Sequence, residues 1–195
     1  MFNLNKYKEW IELRKKIKYK KDIVNMCNFP DDINDILLNI GVPNSAYPFI
    51  YFLSEEEGAL KGLDKYYVLS EEDYTKDFIR SMDEFFKKYI VIAKTTGHAI
   101  CFNEKKEIVY IDYGDYTEFF INNTIEEFLE CIICYDNMVN NVKERYTGNI
   151  DYLDYLTNED ISKLRDRFIT IFNDSLEKYD FWNCSIEFLE EQIDY

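Results

Sequence analysis

The chain has 195 residues, of which 47% are hydrophobic and 17% aromatic, so it can bury a substantial core and does not belong to the disordered class. Its formal net charge of −15 disfavours direct binding to nucleic acid or to an anionic membrane surface. The charge is uneven, because residues 1–22 hold eight Lys and Arg against three acidic residues, whereas the remainder carries 15 basic and 35 acidic residues. We expect this acidic body to attract basic partners, although solubility alone also accounts for such acidity.

The cysteines and the N-terminal sequence indicate the cellular compartment of the protein. Five cysteines, an odd number, fit free thiols in a reducing compartment better than a disulfide framework. The N-terminus lacks the apolar run and small-residue cleavage site of a secretory signal, and no apolar run approaches the roughly 20 residues that span a bilayer. The sequence predicts a cytoplasmic protein without a membrane partner.

The N-terminal segment, residues 1–22, reads as a basic amphipathic helix from about Leu4 to Lys20, with Trp10 on its apolar face. Such a helix can bind membranes or nucleic acid. We favour docking on the acidic body of the same chain, because tethering raises the effective concentration.

The next elements are a helix and two strand candidates. Pro30 and Gly41 mark the start and end of a helix. Pro48–Leu53 reads as a strand that enters an acidic loop, Tyr66–Leu69 is a second strand candidate, and Thr75–Tyr89 has helical spacing.

Three strands and a long helix form the centre of the chain. Tyr89–Lys94, His98–Asn103 and Glu107–Asp112 are rich in β-branched and aromatic residues, and their short polar links predict antiparallel pairing. Their unbroken apolar runs indicate a sheet that is covered on both faces. Thr124-Ile125-Glu126-Glu127 has the form of a capping box that opens the long amphipathic helix.

Gly148 is the best internal boundary, and the residues after it read as further amphipathic helices. The predicted fold is α+β, with a central, mostly antiparallel sheet flanked by helices. We expect a core of residues 23–147 and a helical extension of residues 148–195 that packs on it, since the 47 residues after Gly148 are few for a separate domain.

Motifs for catalysis are missing from the sequence. Cys131 and Cys134 form a CxxC in the middle of the predicted helix, where no dipole lowers a thiol pKa and no second pair completes a zinc site. His98 is the only histidine, and it is expected to face away from Cys101 on a strand. We expect no catalytic residue, metal or cofactor, although a hydrolase that uses carboxylates in a cleft stays open.

The acidic run between Asp112 and Glu118 is the best candidate for a partner-binding surface, and we expect it to join the last core strand to the long helix. Its mixture of acids and tyrosines suits a basic protein surface, through charge steering and aromatic anchors. A plain exposed loop is the alternative. The candidate contact residues, including two from the acidic loop after Leu53, are Asp112, Tyr113, Asp115, Tyr116, Glu118, Glu55 and Glu56.

Several phrases of the chain resemble one known family. They are IGVP at 40–43, YIVIAKTTGHAICFN at 89–103, VYIDYGD at 109–115 and FFINNTIEEFLECIICYDNM at 119–138. These phrases resemble the SUKH superfamily, most closely its fourth subfamily of bacterial immunity proteins, in which a Phe-(Ile/Val)-Asn-x-(Ser/Thr) phrase opens the helix after the last core strand. Phe120, Asn122 and Thr124 fit that phrase.

The resemblance implies a SUKH-like fold and a function without catalysis. It implies a cytoplasmic protein that binds a cognate polymorphic toxin, often a nuclease or nucleic-acid deaminase, and neutralises it by stoichiometric occlusion. The implied partner is a basic toxin or the C-terminal domain of a toxin. Because the superfamily also includes regulators that organise signalling partners, a scaffold with several protein partners is the alternative.

Overall fold

A computed structural model describes residues 2–68, 75–112, 115–146 and 151–193, and its fold is α+β. A six-stranded antiparallel sheet is flanked by helices, and the chain ends in a helical region, as the sequence predicts. The helices are α1 (Leu4–Glu12), α2 (Lys21–Met26), α3 (Asp31–Asp35), α4 (Leu63–Tyr66), α5 (Lys76–Phe86), α6 (Ile125–Glu144), α7 (Asn158–Phe172) and α8 (Asp180–Ile193). One π-turn (Ile36–Ile40) extends α3, and short 3-10 turns lie at Tyr152–Tyr155 and Leu176–Lys178.

The sheet is a meander in which each strand pairs with the next one along the chain. A separate pair is formed by β1 (Lys16–Ile17) and β2 (Val42–Pro43). The strands of the meander are β3 (Ser45–Ala46), β4 (Ile50–Phe52), β5 (Ile90–Thr95), β6 (His98–Phe102), β7 (Ile108–Asp112) and β8 (Thr117–Asn122). The three predicted central strands are confirmed to within one residue at each end, and the strand predicted at Pro48–Leu53 is confirmed as β4. Gly97, at a φ of +83°, makes the tight turn from β5 to β6.

Two expectations about local structure between residues 66 and 118 are wrong. The acidic run after Asp112 does not lead into the long helix, because β8 follows it and pairs with β7, with Asp112 opposite Thr117. Tyr66 ends helix α4 instead of starting a strand, since the backbone N–H groups of Lys65 and Tyr66 both donate to the Gly62 carbonyl. Tertiary context here overrides the strand propensity of aromatic residues. Leu69 lies outside the described residues.

Helix α6 is the central helix that the sequence predicts. The Thr124 hydroxyl accepts a hydrogen bond from the Glu127 backbone N–H at 3.1 Å, and the Glu127 carboxylate accepts one from the Asn123 N–H at 3.1 Å. These bonds satisfy N–H groups that a helix start leaves unpaired. Phe128, fully buried, packs against Phe52 of β4 with 6.1 Å between ring centroids, so α6 covers one face of the sheet.

The helix of the N-terminal segment is shorter than predicted, and the segment packs against α6. Helix α1 ends at Glu12, and Ile17 belongs to β1, which pairs with β2. The indole Nε1 of Trp10 donates to Asp136 Oδ2 at 3.1 Å, and Arg14 forms an ion pair with the same carboxylate. The docking interpretation of this segment therefore agrees with its contacts.

The C-terminal helices share the core of the sheet. Trp182 of α8 is fully buried, and its Nε1 donates to the Asn122 Oδ1 of β8 at 2.9 Å. Its ring lies 6.0 Å from Phe128 of α6 and 5.0 Å from Phe168 of α7. One continuous hydrophobic cluster includes Trp10, Phe128 and Trp182, so the first helix, the sheet region and the last helix pack on a common core.

Candidate functional site

An open apolar pocket of about 290 Å³ lies at the end of the sheet where β5 turns into β6. Its walls come from four parts of the chain, which are far apart in sequence. They include the strand residues His98 and Tyr110, Tyr135 of α6, the α8 residues Phe181, Cys184 and Phe188, and Phe49 from the segment before β4. We call this concavity the sheet-end pocket. Neither Lys nor Arg occurs among the described residues that line it.

Two aromatic rings on the wall of the sheet-end pocket reach solvent. Phe49 is 51% exposed and Phe188 is 41% exposed. Phe49 also has a φ of +54°, in the left-handed region that bulky side chains avoid because Cβ crowds the carbonyl oxygen. About half of Phe49 therefore packs within the chain, and the other half leaves apolar surface open at the pocket.

Acidic groups border the pocket. Burial raises the pKa of the Tyr110 hydroxyl, and smaller electrostatic effects of Cys184, Asp180 and Asp112 raise it further. Burial also raises the pKa of the Cys184 thiol, and smaller electrostatic effects of Glu187 and Asp180 raise it further. Asp112 also lies 3.8 Å from His98 of the wall, and Asp180 and Glu187 are the chain neighbours of the wall residues Phe181 and Phe188. The interior of the pocket is therefore apolar, and its rim is negative.

His98 lies inside this acidic rim. It pairs with Asp112 in the register of β6 and β7, with 3.8 Å between His98 Nδ1 and Asp112 Oδ2. The Nδ1 atom is buried and has no hydrogen-bond partner among the residues that the structure describes. The His98 ring lies 5.4 Å from the ring of Tyr110, so it forms part of the aromatic wall.

Two of the predicted contact residues, Asp115 and Tyr116, are described just before β8. Tyr113 lies outside the described residues. Asp115 is exposed. Tyr116, at a φ of +56°, turns its ring against α5, 5.4 Å from Phe78 and 6.0 Å from Phe86. Tyr116 is thus an anchor within the chain, whereas Asp115 faces solvent.

Glu118 and Asp112 lie on opposite faces of the sheet. Glu118 pairs with Ile111, the neighbour of Asp112 on β7, and successive side chains of a strand point to opposite faces. The Tyr89 hydroxyl donates to Glu118 Oε2 at 2.6 Å, and burial followed by this contact raises the Tyr89 pKa. The structure therefore does not bring Glu118 to the pocket.

Glu55 and Glu56 follow β4 and lie at the end of the sheet opposite to the β5–β6 turn, because β4 is antiparallel to β5. Glu55 accepts a hydrogen bond from the Lys20 backbone N–H at 2.5 Å and lies 2.9 Å from the Lys20 ammonium. These two contacts lower the Glu55 pKa. Glu56 is exposed. The predicted acidic residues thus occupy two ends and two faces of the sheet, and Asp112 alone among those described borders the pocket.

Burial raises the pKa of three cysteine thiols and so disfavours their thiolate form. Burial raises the pKa of Cys134 to about 11 and that of Cys131 well above its usual range. Cys101 is also fully buried with a raised pKa, and it lies on the face of β6 opposite to His98. Across the described residues, no group of three His, Cys, Asp or Glu side chains could hold a metal ion.

A second, larger groove of about 910 Å³ runs between α1, α6 and α7. Its walls carry both signs of charge, with Lys6, Lys163 and Arg167 facing Glu130 and Glu144. Mixed charge does not select one class of ligand, so the sheet-end pocket is the better defined site.

The wall aromatics of the sheet-end pocket were not among the residues predicted from the sequence. Phe49 falls inside an apolar run that reads as strand, and Phe188 falls inside an amphipathic helix. Neither residue carries a local signal of function, because the pocket exists only after α8 packs against the sheet. Asp112, in contrast, is predicted as a contact residue because it lies in an acidic run at the end of a strand.

Three comparisons, with protein-family models, with curated proteins and with solved structures, find no match to this chain. Within the described ranges, no helix combines the length and the apolar character needed to cross a membrane.

Proposed function

We propose that this chain is a cytoplasmic immunity protein, which binds a basic polymorphic toxin of bacteria and neutralises it by stoichiometric occlusion. The observation that carries the proposal is the distribution of charge. Residues 23–195 contain 35 acidic and 15 basic residues, and an excess of this size gives the surface a field that favours basic proteins over nucleic acid.

Contacts of the basic N-terminal segment support this interpretation. Arg14 pairs with Asp136, Lys16 pairs with Glu12, and Lys20 pairs with Glu55. These three cations face carboxylates of the same chain. The segment that could otherwise bind an anionic ligand is therefore partly neutralised within the fold.

Occlusion needs only tight binding over a basic active-site cleft. Acidic side chains would take the place of the phosphates of a nucleic-acid substrate, and charge steering would speed encounter. Steered protein pairs associate at up to about 10⁸–10⁹ M⁻¹s⁻¹ at low salt, against roughly 10⁵–10⁶ M⁻¹s⁻¹ without steering. The resemblance of residues 119–138 to bacterial immunity proteins supplies the class of partner.

The test is capture of partners by the tagged full chain at low salt, followed by expression of the captured basic domain alone and together with this chain. The proposal predicts one partner bound one-to-one, which is toxic alone and harmless when co-expressed. It also predicts an association rate constant that falls steeply as salt rises. A partner without toxicity, or several substoichiometric partners, would contradict the proposal, and the latter result would favour a scaffold.

A further inference from the structure

We propose that the sheet-end pocket receives a single apolar side chain of the partner, phenylalanine or leucine in character, that stands next to a lysine or arginine. The inference rests on the proposed function in one respect, because both take a basic protein as the partner. It adds the place of contact and the local chemistry that is recognised.

The size and lining of the pocket fit one side chain. Its volume of about 290 Å³ falls at the lower limit of small-molecule sites, which span roughly 300–1,000 Å³. The walls are formed mainly by the rings of Phe49, Tyr110, Phe181 and Phe188. Interfaces between proteins concentrate their binding energy where such an apolar anchor enters a pocket.

Phe49 gives the strongest reason to expect an occupant. Its backbone lies in the left-handed region at a φ of +54°, where glycine would fit without strain, yet its ring is 51% exposed. Residues held in strained conformations cluster at binding sites. A phenylalanine that the fold buries only by half, on a strained backbone, is explained if a partner covers its exposed surface together with that of Phe188.

The charge around the pocket specifies the neighbour of the anchor. Asp112 lies 3.8 Å from His98 of the wall, and Asp180 and Glu187 directly precede the wall residues Phe181 and Phe188 on α8. A lysine or arginine beside the anchoring side chain would meet these carboxylates, whereas an acidic neighbour would be repelled.

Cys184 allows a direct test, because it lines the pocket and is the exposed cysteine, whereas Cys27, Cys101 and Cys131 are buried and Cys134 is partly so. The intact protein is equilibrated, under a fixed excess of mercaptoethanol, with equal amounts of three short peptides, each supplied as its mixed disulfide with mercaptoethanol, so that each new bond to Cys184 releases one mercaptoethanol. One carries lysine and phenylalanine, one lysine and alanine, and one glutamate and phenylalanine. Intact-mass spectrometry measures which mixed disulfide forms, and Cys184→Ser serves as the blank.

The inference predicts that the lysine–phenylalanine peptide is captured about tenfold more than either of the others, as burial of one ring would produce. Phe188→Ala should abolish this preference, and Ile169→Ala, which truncates an equally exposed residue (41%) on α7, should leave it unchanged. Equal capture of the phenylalanine and alanine peptides, or a preference that survives Phe188→Ala, would overturn the inference.

This outcome is separable from that of the proposed function. Selective capture without any toxic partner in the cell would keep the pocket and remove the immunity role. A neutralised toxin together with unselective capture would keep the immunity role and place its contacts elsewhere.

Discussion

At one end of the central sheet the polar groups are paired within the chain, whereas at the other end aromatic rings are exposed to solvent. At the end beyond β4, Glu55 accepts two contacts from Lys20, and the Tyr19 hydroxyl donates to the Leu53 carbonyl at 2.9 Å. At the end where β5 turns into β6, two aromatic rings, Phe49 and Phe188, reach solvent beside an acidic rim. Glu55 at the first end is thus paired within the chain, whereas the second end exposes aromatic surface of Phe49 and Phe188 to a partner.

The largest effect should follow from removing the anchor of the helix that forms one wall of the pocket. Trp182→Ala deletes a fully buried ring, and large-to-small changes of this kind cost about 3–5 kcal/mol of unfolding free energy. Denaturant unfolding, monitored by circular dichroism, measures the loss.

Trp182→Phe is the matched control for that change. It keeps most of the apolar volume but leaves Asn122 without its 2.9 Å donor, which should cost about 1–3 kcal/mol. If the alanine and phenylalanine variants were equally stable, burial of Trp182 would not be what fixes α8 to the sheet.

A change of opposite sign is expected at Phe49. Phe49→Gly relieves roughly 1–2 kcal/mol of left-handed strain and loses about 0.5–1 kcal/mol through the entropy of glycine, so these two effects together should stabilise the protein by up to about 1.5 kcal/mol. Phe49→Ala keeps the strained backbone and should bring no such gain. Both variants should bind the partner more weakly, because both remove the ring.

Unfolding midpoints and partner affinities, measured together, check this prediction. A Phe49→Gly variant that is as unstable as Phe49→Ala would show that the backbone there is not strained. Unchanged affinity in both variants would show that the ring does not contact the partner.

The smallest effect is expected at the closed end of the sheet. Glu55→Gln weakens the contacts to Lys20 and should cost about 0.5–1 kcal/mol, because the pair is partly exposed. Its neighbour Glu56 is exposed and loses the same charge in Glu56→Gln, so that change should stay within about 0.5 kcal/mol. A comparison of the two unfolding curves separates the effect of losing the contact with Lys20 from the effect of losing one negative charge.

The loss of stability in Glu55→Gln, relative to the native protein, should also depend on pH. The Lys20 backbone N–H and ammonium lower the folded-state pKa of Glu55 below its usual 4.5, so the contact stabilises the protein above that pH. Protonation on acidification removes the contribution, and the stability gap between the native protein and Glu55→Gln should narrow as the pH falls below 4.5. A gap that widened on acidification would contradict the assigned cause.

Local patterns predicted much of the fold because short connections and apolar periodicity are local properties. The β5–β6 hairpin follows from the turn at Gly97, and α6 follows from the cap at Thr124 and the apolar spacing after it. Strand β8 was missed, because Thr117–Asn122 follows directly on an acidic run that reads as a loop. The ending of α1 at Glu12 was missed as well, since pairing of β1 with β2 depends on residues far away in the chain.

The candidate site could be predicted only in part for the same reason. Asp112 carries a local signal, as an acidic residue at a strand end. Phe49 and Phe188 are 139 positions apart, and only the packing of α8 against the sheet brings them to one pocket. Whether an acidic residue is already paired, as Glu55 is with Lys20, also depends on the fold and is not visible in its sequence neighbours.

The most direct test of the open end as a binding surface is the dissociation constant of the basic partner, measured by calorimetry for the native protein, Phe188→Ala and Ile169→Ala. The two changes remove side chains that are both 41% exposed on a helix, and only Phe188 lines the sheet-end pocket. We predict that Phe188→Ala weakens binding about tenfold or more and that Ile169→Ala leaves it within about twofold. Equal losses in both variants, or a loss in Ile169→Ala alone, would contradict the account.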